Sequence, residues 1–281
     1  MPQTAMTEDG RTLAFDMAGA PEGPAVFLQQ GTPCSRFIYG PHAEVAERLG
    51  LRLVSHDRPG CGASSPQRGR SVADCAADVK AIARHLGISR CGVWGFSGGG
   101  PHALSCAALA GDLVVAAVVL ASTSPVESGL DADNPRMRAV LEDPEASRSQ
   151  FESEREMMLR AEPGDLEGWL SGALPAELHS EMGTFAAYRI ETLRSGMEMS
   201  AEGPFEDQWA FAHSWGFDLE TISIPVRYRH GTMDADVRPE HGDWITSRLA
   251  TAEVHRPEDT HISLLLRSAQ EDFPWLAAHL L

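Results

Sequence analysis

The sequence predicts an α/β fold: a mostly parallel sheet covered by helices on both faces. Three observations carry that prediction. Short, fully apolar runs alternate with stretches of helical periodicity at both ends of the chain. A serine flanked by glycines sits where one such run gives way to a helix. A long acidic stretch without strand signals interrupts the alternation in the middle. Strands covered on both faces have no solvent side, so they read as continuous apolar runs rather than as every-other-residue patterns.

Residues 25–29 (AVFLQ), 51–55 (LRLVS), 92–96 (GVWGF) and 114–121 (VVAAVVLA) are the clear strands; 225–230 (PVRYRH) and 252–255 are weaker ones. Between them, Val72, Cys75, Ala76, Val79, Ile82, Ala83 and Leu86 recur at helical spacing, and Ser71 stands where an N-cap belongs. Residues 101–110 and 239–249 read as helices opened by proline. Residues 262–281 form a last helix, bent or restarted near Pro274.

From about 125 to 220 the pattern changes. Polar helical stretches are punctuated at Pro135, Pro144, Pro163-Gly164, Pro175 and Gly203-Pro204, and large apolar residues are frequent, among them Met157, Met158, Trp169, Met182, Phe185, Tyr188, Met197 and Met199, with Phe205, Trp209, Phe211, Trp215 and Phe217. This is a helical insertion. The expected organisation is a core made of 1–123 and 221–281, with 124–220 inserted.

Composition narrows the function. The chain has 281 residues, 43% hydrophobic and 22% charged, and is long enough to bury a core without disulfide or metal staples. Forty acidic against 23 basic residues give a net charge of −17, and Lys80 is the only lysine, so nucleic acid and anionic membrane surfaces are excluded as partners. Residues 124–222 hold 21 acidic and 7 basic side chains, which reads as a solvated helical face. Five cysteines (Cys34, Cys61, Cys75, Cys91, Cys106) are odd in number and lack a CxxC pair, which suits inert buried thiols in a reducing compartment. The N-terminus shows no signal-peptide pattern, and the longest apolar run, 113–121, is too short to span a bilayer. A cytoplasmic location is expected. No HExxH, Cys/His ligand spacing or phosphate-loop lysine is present, so no metal and no cofactor are expected. Nothing in the sequence signals an oligomeric state.

The chemistry gathers at three places. Gly95-Phe96-Ser97-Gly98-Gly99 is a G-x-S-x-G between a strand and a helix. A serine on so sharp a turn is backbone-strained, and the residues two away on either side must lack bulk. The helix that follows points its N-terminal amides at the turn, where they favour negative charge. A serine nucleophile needs a base, and the base needs an orienting carboxylate. Asp234 follows the strand at 225–230, with Asp236 as its competitor, and His261 follows the next strand. His102 is a weaker alternative near the serine. His56 and His230 end strands and suit packing or hydrogen bonding. Cys34 and Cys61 fall near the pocket mouth as inert thiols.

The chain order Ser97, Asp234, His261 and the elbow resemble the α/β-hydrolase superfamily, in the cap-bearing branch that includes many esterases. Two further turns share the resemblance. Gln30-Gly31-Thr32-Pro33 is similar to the His-Gly-x-Pro turn after the third strand, and Asp57-Arg58-Pro59-Gly60-Cys61-Gly62-Ala63-Ser64 to the structural D-x-x-G-x-G-x-S turn. The resemblance covers most of the chain and is weakest over 124–222. It implies an eight-stranded sheet, a cap at 124–220, Ser97 as nucleophile, His261 as general base and then acid, and Asp234 as orienting carboxylate. It implies an oxyanion hole from the amides of Thr32 and Gly98, and elbow positions at Gly95 and Gly99. Gln30 departs from the family's usual His, which commonly braces the oxyanion loop. The Thr32 hydroxyl is a further candidate contact to substrate.

The expected activity is hydrolysis of an ester, or a related acyl bond, of a medium-sized, mainly apolar small molecule. Carbon–carbon bond hydrolysis, a tailoring step in secondary metabolism and a non-catalytic small-molecule receptor on the same fold are the alternatives. Serine at the elbow argues against relatives that need a carboxylate nucleophile, such as epoxide hydrolases and haloalkane dehalogenases. A lysine-free cap argues against hydroxynitrile lyases. Gln30-Gly31-Thr32-Pro33-Cys34 does not match the H-G-G-P-G turn of proline iminopeptidases.

Overall fold

The structure is a computed structural model that describes residues 2–33 and 35–281; Met1 and Cys34, and with Cys34 its expected place at the pocket mouth, lie outside the described residues. All six apolar runs form strands, joined by two at the N-terminus. In chain order these are β1 (Gln3–Met6), β2 (Thr12–Gly19), β3 (Ala25–Gln29), β4 (Arg52–His56), β5 (Cys91–Phe96), β6 (Val114–Leu120), β7 (Val226–Arg229) and β8 (Ala252–His255). They make one sheet in the order β1-β2-β4-β3-β5-β6-β7-β8. β2 pairs antiparallel with both neighbours, and every pairing from β4 to β8 is parallel.

The two extra strands left no clear signal. β1 is an edge strand with three of four residues exposed. β2 buries Leu13, Ala14 and Phe15 in succession and then turns outward, so it shows neither a long apolar run nor alternation.

The core helices are α1 (Gly40–Arg48), α2 (Cys75–His85) and α3 (Gly99–Leu109). The insertion supplies α4 (Pro135–Glu142), α5 (Pro144–Arg160), α6 (Pro163–Ala173), α7 (Met182–Met197) and α8 (Glu202–Phe211). After β7 come α9 (Pro239–Thr246) and α10 (His261–Leu280). α10 is one helix with Pro274 inside it, not two, and nine of its thirteen residues before Pro274 are buried. Pro135, Pro144 and Pro163 are not loop punctuation but the opening residues of α4, α5 and α6, where a missing N–H costs nothing. Asn134 and Asp143 cap the first two of these helices by accepting from Arg136 N and Ala146 N, both at 3.0 Å.

The sheet divides the apolar interior in two. Alternate residues of β6 show how: Ala117 and Val119 join a cluster with Val79 and Ile82 of α2 and Leu104 of α3, while Ala116, Val118 and Leu120 join one with Val45 of α1 and Leu276 of α10. The insertion sits over both clusters. Phe205 and Phe211 of α8 pack into the first, Leu170 of α6 and Phe185 of α7 into the second. Cys61, Cys75, Cys91 and Cys106 are all buried. Among the described residues no helix is long and apolar enough to cross a membrane.

Candidate active site

The ends of β3, β5, β7 and β8 bring the candidate residues to one edge of the sheet. Ser97 follows β5 with φ 54°, one of two non-glycine residues with positive φ among those described. Holding L-stereochemistry there costs about 1–3 kcal/mol and persists only where the surroundings enforce it. Here Ser97 N donates to Leu120 O at 2.8 Å, and Ser97 O accepts from Gly100 N at 2.9 Å. The flanking glycines are steric necessities. A Cβ on Gly95 would lie 2.6 Å from the Ala103 Cβ, and one on Gly99 would lie 1.9 Å from Gln29 O.

His261 is the first residue of α10, entered through the N-cap Thr260. Its Nδ1 lies 2.7 Å from Asp234 Oδ2. An ionised carboxylate only accepts, so Nδ1 carries the proton and Nε2 is left with its lone pair. Asp234 is held in turn: Oδ1 accepts from Asp236 N at 2.9 Å and Val237 N at 2.8 Å. His230 Nε2 donates to Val237 O at 2.8 Å and stands 3.4 Å from Asp234 Oδ2. Burial alone would raise the Asp234 pKa, but the hydrogen bonds from His230 and His261 hold it well below the usual carboxylate range. Asp236, its competitor, is exposed and serves Asp234 through its backbone. Asp234, Asp236 and His261 are also the one group of three among the described residues whose ligand atoms, within 4.8 Å of one another, could hold a metal ion.

Thr32 and Gly98 meet beside Ser97, so closely that a Cβ on Gly98 would lie 2.7 Å from Thr32 Oγ1. Among the described residues neither backbone amide donates to a carbonyl. The Thr32 hydroxyl, a candidate substrate contact in the sequence, is hydrogen-bonded within the protein. It accepts from Arg58 Nη2 and donates to Asp207 Oδ2, both at 2.7 Å. Gln30 braces little: its side chain reaches Phe37 O at 3.4 Å.

The remaining histidines have other surroundings. His102 is buried, with Nδ1 2.9 Å from Gly98 O. His56 is buried with no partner at either ring nitrogen. In the D-x-x-G-x-G-x-S turn, Asp57 accepts from Arg36 N at 2.7 Å and Ala63 N at 3.0 Å, which closes the turn. Cys61 packs where Gly203 of α8 leaves room, 2.3 Å from the place of a Cβ there.

Two chambers meet at Ser97. One, of about 260 Å³, is lined by His261, Phe96, Trp169, Phe185, Tyr188 and Leu265, with Arg189 at its wall. The other, of about 200 Å³, is lined by Gly98, Asp131, Asn134, Gln208, Phe211 and His241. Thr32, Asp236 and Val237 border both. A larger groove of about 1000 Å³ between the turn after β4 and α7 touches neither Ser97 nor His261, so size does not locate the chemistry. A base with a fixed tautomer, a strained serine and two open amides in one cavity can attack a carbonyl and hold the resulting oxyanion. Sequence reasoning missed Arg58, Asp207 and the chamber walls. Arg58 was visible only as part of a structural turn, and Asp207 as one more acidic residue.

Residues 24–260 match the family described as alpha/beta hydrolase fold. The chain is 27% identical over 261 residues to a non-heme chloroperoxidase of Streptomyces lividans, covering 87% of this chain and 88% of that one. It is 30% identical over 122 residues to a bifunctional esterase/perhydrolase of Acinetobacter calcoaceticus, covering 43% and 44%. Its fold is similar to that of a thermophilic esterase from Thermogutta terrifontis, with TM-score 0.71 and 19% identity over all of both chains.

Proposed function

From a chain that belongs to the alpha/beta hydrolase family, we propose a serine hydrolase that cleaves an ester, or a related acyl bond, of a medium-sized small molecule. The observation that carries the proposal is the His261–Asp234 hydrogen bond of 2.7 Å in the same cavity as the strained Ser97. Ser97 Oγ attacks the carbonyl carbon while His261 Nε2 takes its proton, and Asp234 stabilises the imidazolium that forms. The amides of Thr32 and Gly98 hold the oxyanion. Collapse expels the alcohol, protonated by His261, and leaves an acyl-Ser97. Water, deprotonated by His261, then releases the acid.

The chambers divide the substrate. The leaving group takes its proton from His261 and so occupies the aromatic chamber that His261 lines; the acyl arm occupies the other, beside Asp131 and Gln208. An ester of a short acyl group with an aromatic or bulky apolar alcohol fits both. A relative named as both esterase and perhydrolase makes hydrogen peroxide a second acceptor to assay beside water.

Intact mass after treatment with a fluorophosphonate tests the proposal, because the reagent needs an activated serine and a formed oxyanion hole. One adduct on the wild type, absent from Ser97→Ala, is the expected result. A folded wild type that takes up none would overturn the assignment and leave a binding protein on the same fold.

A further inference from the structure

The insertion sends one fully buried carboxylate to the oxyanion loop. Asp207, on α8, is 0% exposed. Its Oδ2 accepts from Thr32 Oγ1 at 2.7 Å and from Arg58 Nη2 at 2.6 Å; its Oδ1 accepts from Arg58 Nε at 3.0 Å and pairs with Arg70 Nη2. Arg58 then spans the loop that carries Thr32. Nη1 donates to Gln30 O at 2.7 Å, and Nη2 to Gly31 O at 3.3 Å and to Thr32 Oγ1 at 2.7 Å.

The same carboxylate also faces the elbow. His102 Nε2 lies 3.9 Å from Asp207 Oδ1 and 3.5 Å from Arg70 Nη1, a donor, so the ring carries its proton on Nδ1. That proton is donated to Gly98 O at 2.9 Å. Burial, then the charge of Arg58, pull the His102 pKa down to about 3, so the ring is neutral and its tautomer fixed. The two amides of the hole come from different segments, the loop after β3 and the start of α3. Asp207 reaches the first directly through Thr32 and the second through Arg70 and His102.

Stability does not account for this cluster, since buried ion networks are commonly no more stabilising than well-packed apolar residues. Its position suggests another use, because oxyanion donors act only when held within a few tenths of an ångström. We propose that Asp207 is a positioning residue: through Thr32 on one side, and through Arg70 and then His102 on the other, it sets the spacing of the two oxyanion amides. The helical insertion is then part of the oxyanion hole, filling the role that the departure at Gln30 left open. The inference rests on the serine-hydrolase proposal above.

The test compares Asp207→Asn and Thr32→Val with wild type in kcat and KM on a 4-nitrophenyl ester, in fluorophosphonate labelling rate and in thermal midpoint. Thr32→Val keeps shape, backbone amide and both buried charges while cutting the hydroxyl link, so it decides the matter if Asp207→Asn fails to fold. Expected are kcat and labelling rates lower by about 10- to 100-fold, with KM within about threefold of wild type. A folded variant pair with wild-type kcat, or a raised KM at constant kcat, overturns the positioning role alone. A wild type that neither labels nor turns over ester overturns the serine-hydrolase proposal and this inference with it.

Discussion

The sheet core and the helical insertion answer to different constraints, and the contrast explains where each part of the site comes from. In the core, position is set by strand ends. Ser97, Asp234 and His261 each follow a strand of the same sheet, so a few short turns determine their geometry. In the insertion, position is set by packing of helices against the core, and each helix divides its side chains among core, chamber and solvent. Trp169 of α6 and Tyr188 of α7 reach the aromatic chamber, whereas Met157 of α5 and Met199 beyond α7 point outward, 61% and 76% exposed. In the proposed mechanism the core thus supplies the reacting groups, and the insertion supplies walls and, through Asp207, support.

The sharpest division of labour is expected in turnover. Ser97→Ala lowers kcat by about 10⁶-fold and Asp234→Asn by about 10⁴-fold, both with unchanged far-UV circular dichroism. Asp236→Asn, which keeps the backbone N–H bonded to Asp234, stays within about tenfold of wild type. Steady-state assays of the three variants on one aryl ester decide it. A larger loss in Asp236→Asn than in Asp234→Asn would reverse the assignment of the carboxylate.

Phe185 tests whether the two regions are energetically separate. It belongs to α7 yet is 1% exposed, and its ring meets Tyr39 of the core edge-on, centroids 5.7 Å apart at 88°. Phe185→Ala is expected to destabilise the whole protein by about 3–5 kcal/mol in urea unfolding, in one transition. Two separated transitions, with only the first shifted, would mean that the insertion unfolds by itself.

Between pH 6.5 and 4.5 the groups that dominate the pH dependence of stability belong to the core. His42, His56 and His102 are buried, and burial lowers their pKa values to about 4, 3 and 3. The unfolded chain takes up protons near pH 6.5 that the folded chain refuses, so each histidine's stabilisation is lost as pH falls below 6.5, by about 1.4 kcal/mol per pH unit. Burial also lowers His241, with the same sign. Asp78 and Asp272, raised to about 6 by burial, oppose this: the folded chain binds their protons first, so they add stability as pH falls from 6 toward 3.8. His56, whose ring nitrogens have no partner, can be replaced without breaking a hydrogen bond. Unfolding free energies from urea titrations of His56→Phe between pH 6 and 4.5 are expected to fall less steeply than wild type by about 1.4 kcal/mol per pH unit. An identical slope would mean that His56 is charged or solvated in the fold.

The same contrast governs what could be read from residues alone. β5 and β6 are buried on both faces, so their burial is local in sequence and the runs GVWGF and VVAAVVL announce them. The elbow glycines are legible because their reason is steric and lies within five residues. β1 and β2 were not legible, since an edge strand and its neighbour face both solvent and core. In the insertion, helical character and acidity could be seen, but Asp207 and Glu206 stand among many acids and only the fold buries them, against Arg58 and Arg70 and against Arg148. Thr32 shows the limit inside the core as well. Its position in the turn after β3 could be read, while the direction of its hydroxyl depends on a carboxylate 175 residues away.

The smallest effect tests the division of the substrate. Trp169 lines the chamber of His261 but is 44% exposed, so its removal leaves no buried cavity. Trp169→Ala is therefore expected to leave the thermal midpoint unchanged while raising KM about fivefold for esters of aromatic alcohols, roughly 1 kcal/mol of lost apolar contact. Esters with the same acyl group and a methanol leaving group make no such contact and keep their KM. A series that varies the alcohol at constant acyl, and another that varies the acyl at constant alcohol, separates the arms. If Trp169→Ala instead discriminates among acyl groups, the leaving group lies on the Asp131 side, and His261 would have to reach it across the serine. That geometry would contradict proton delivery by the group that lines the aromatic chamber, so the acyl series is the arm that can break the assignment.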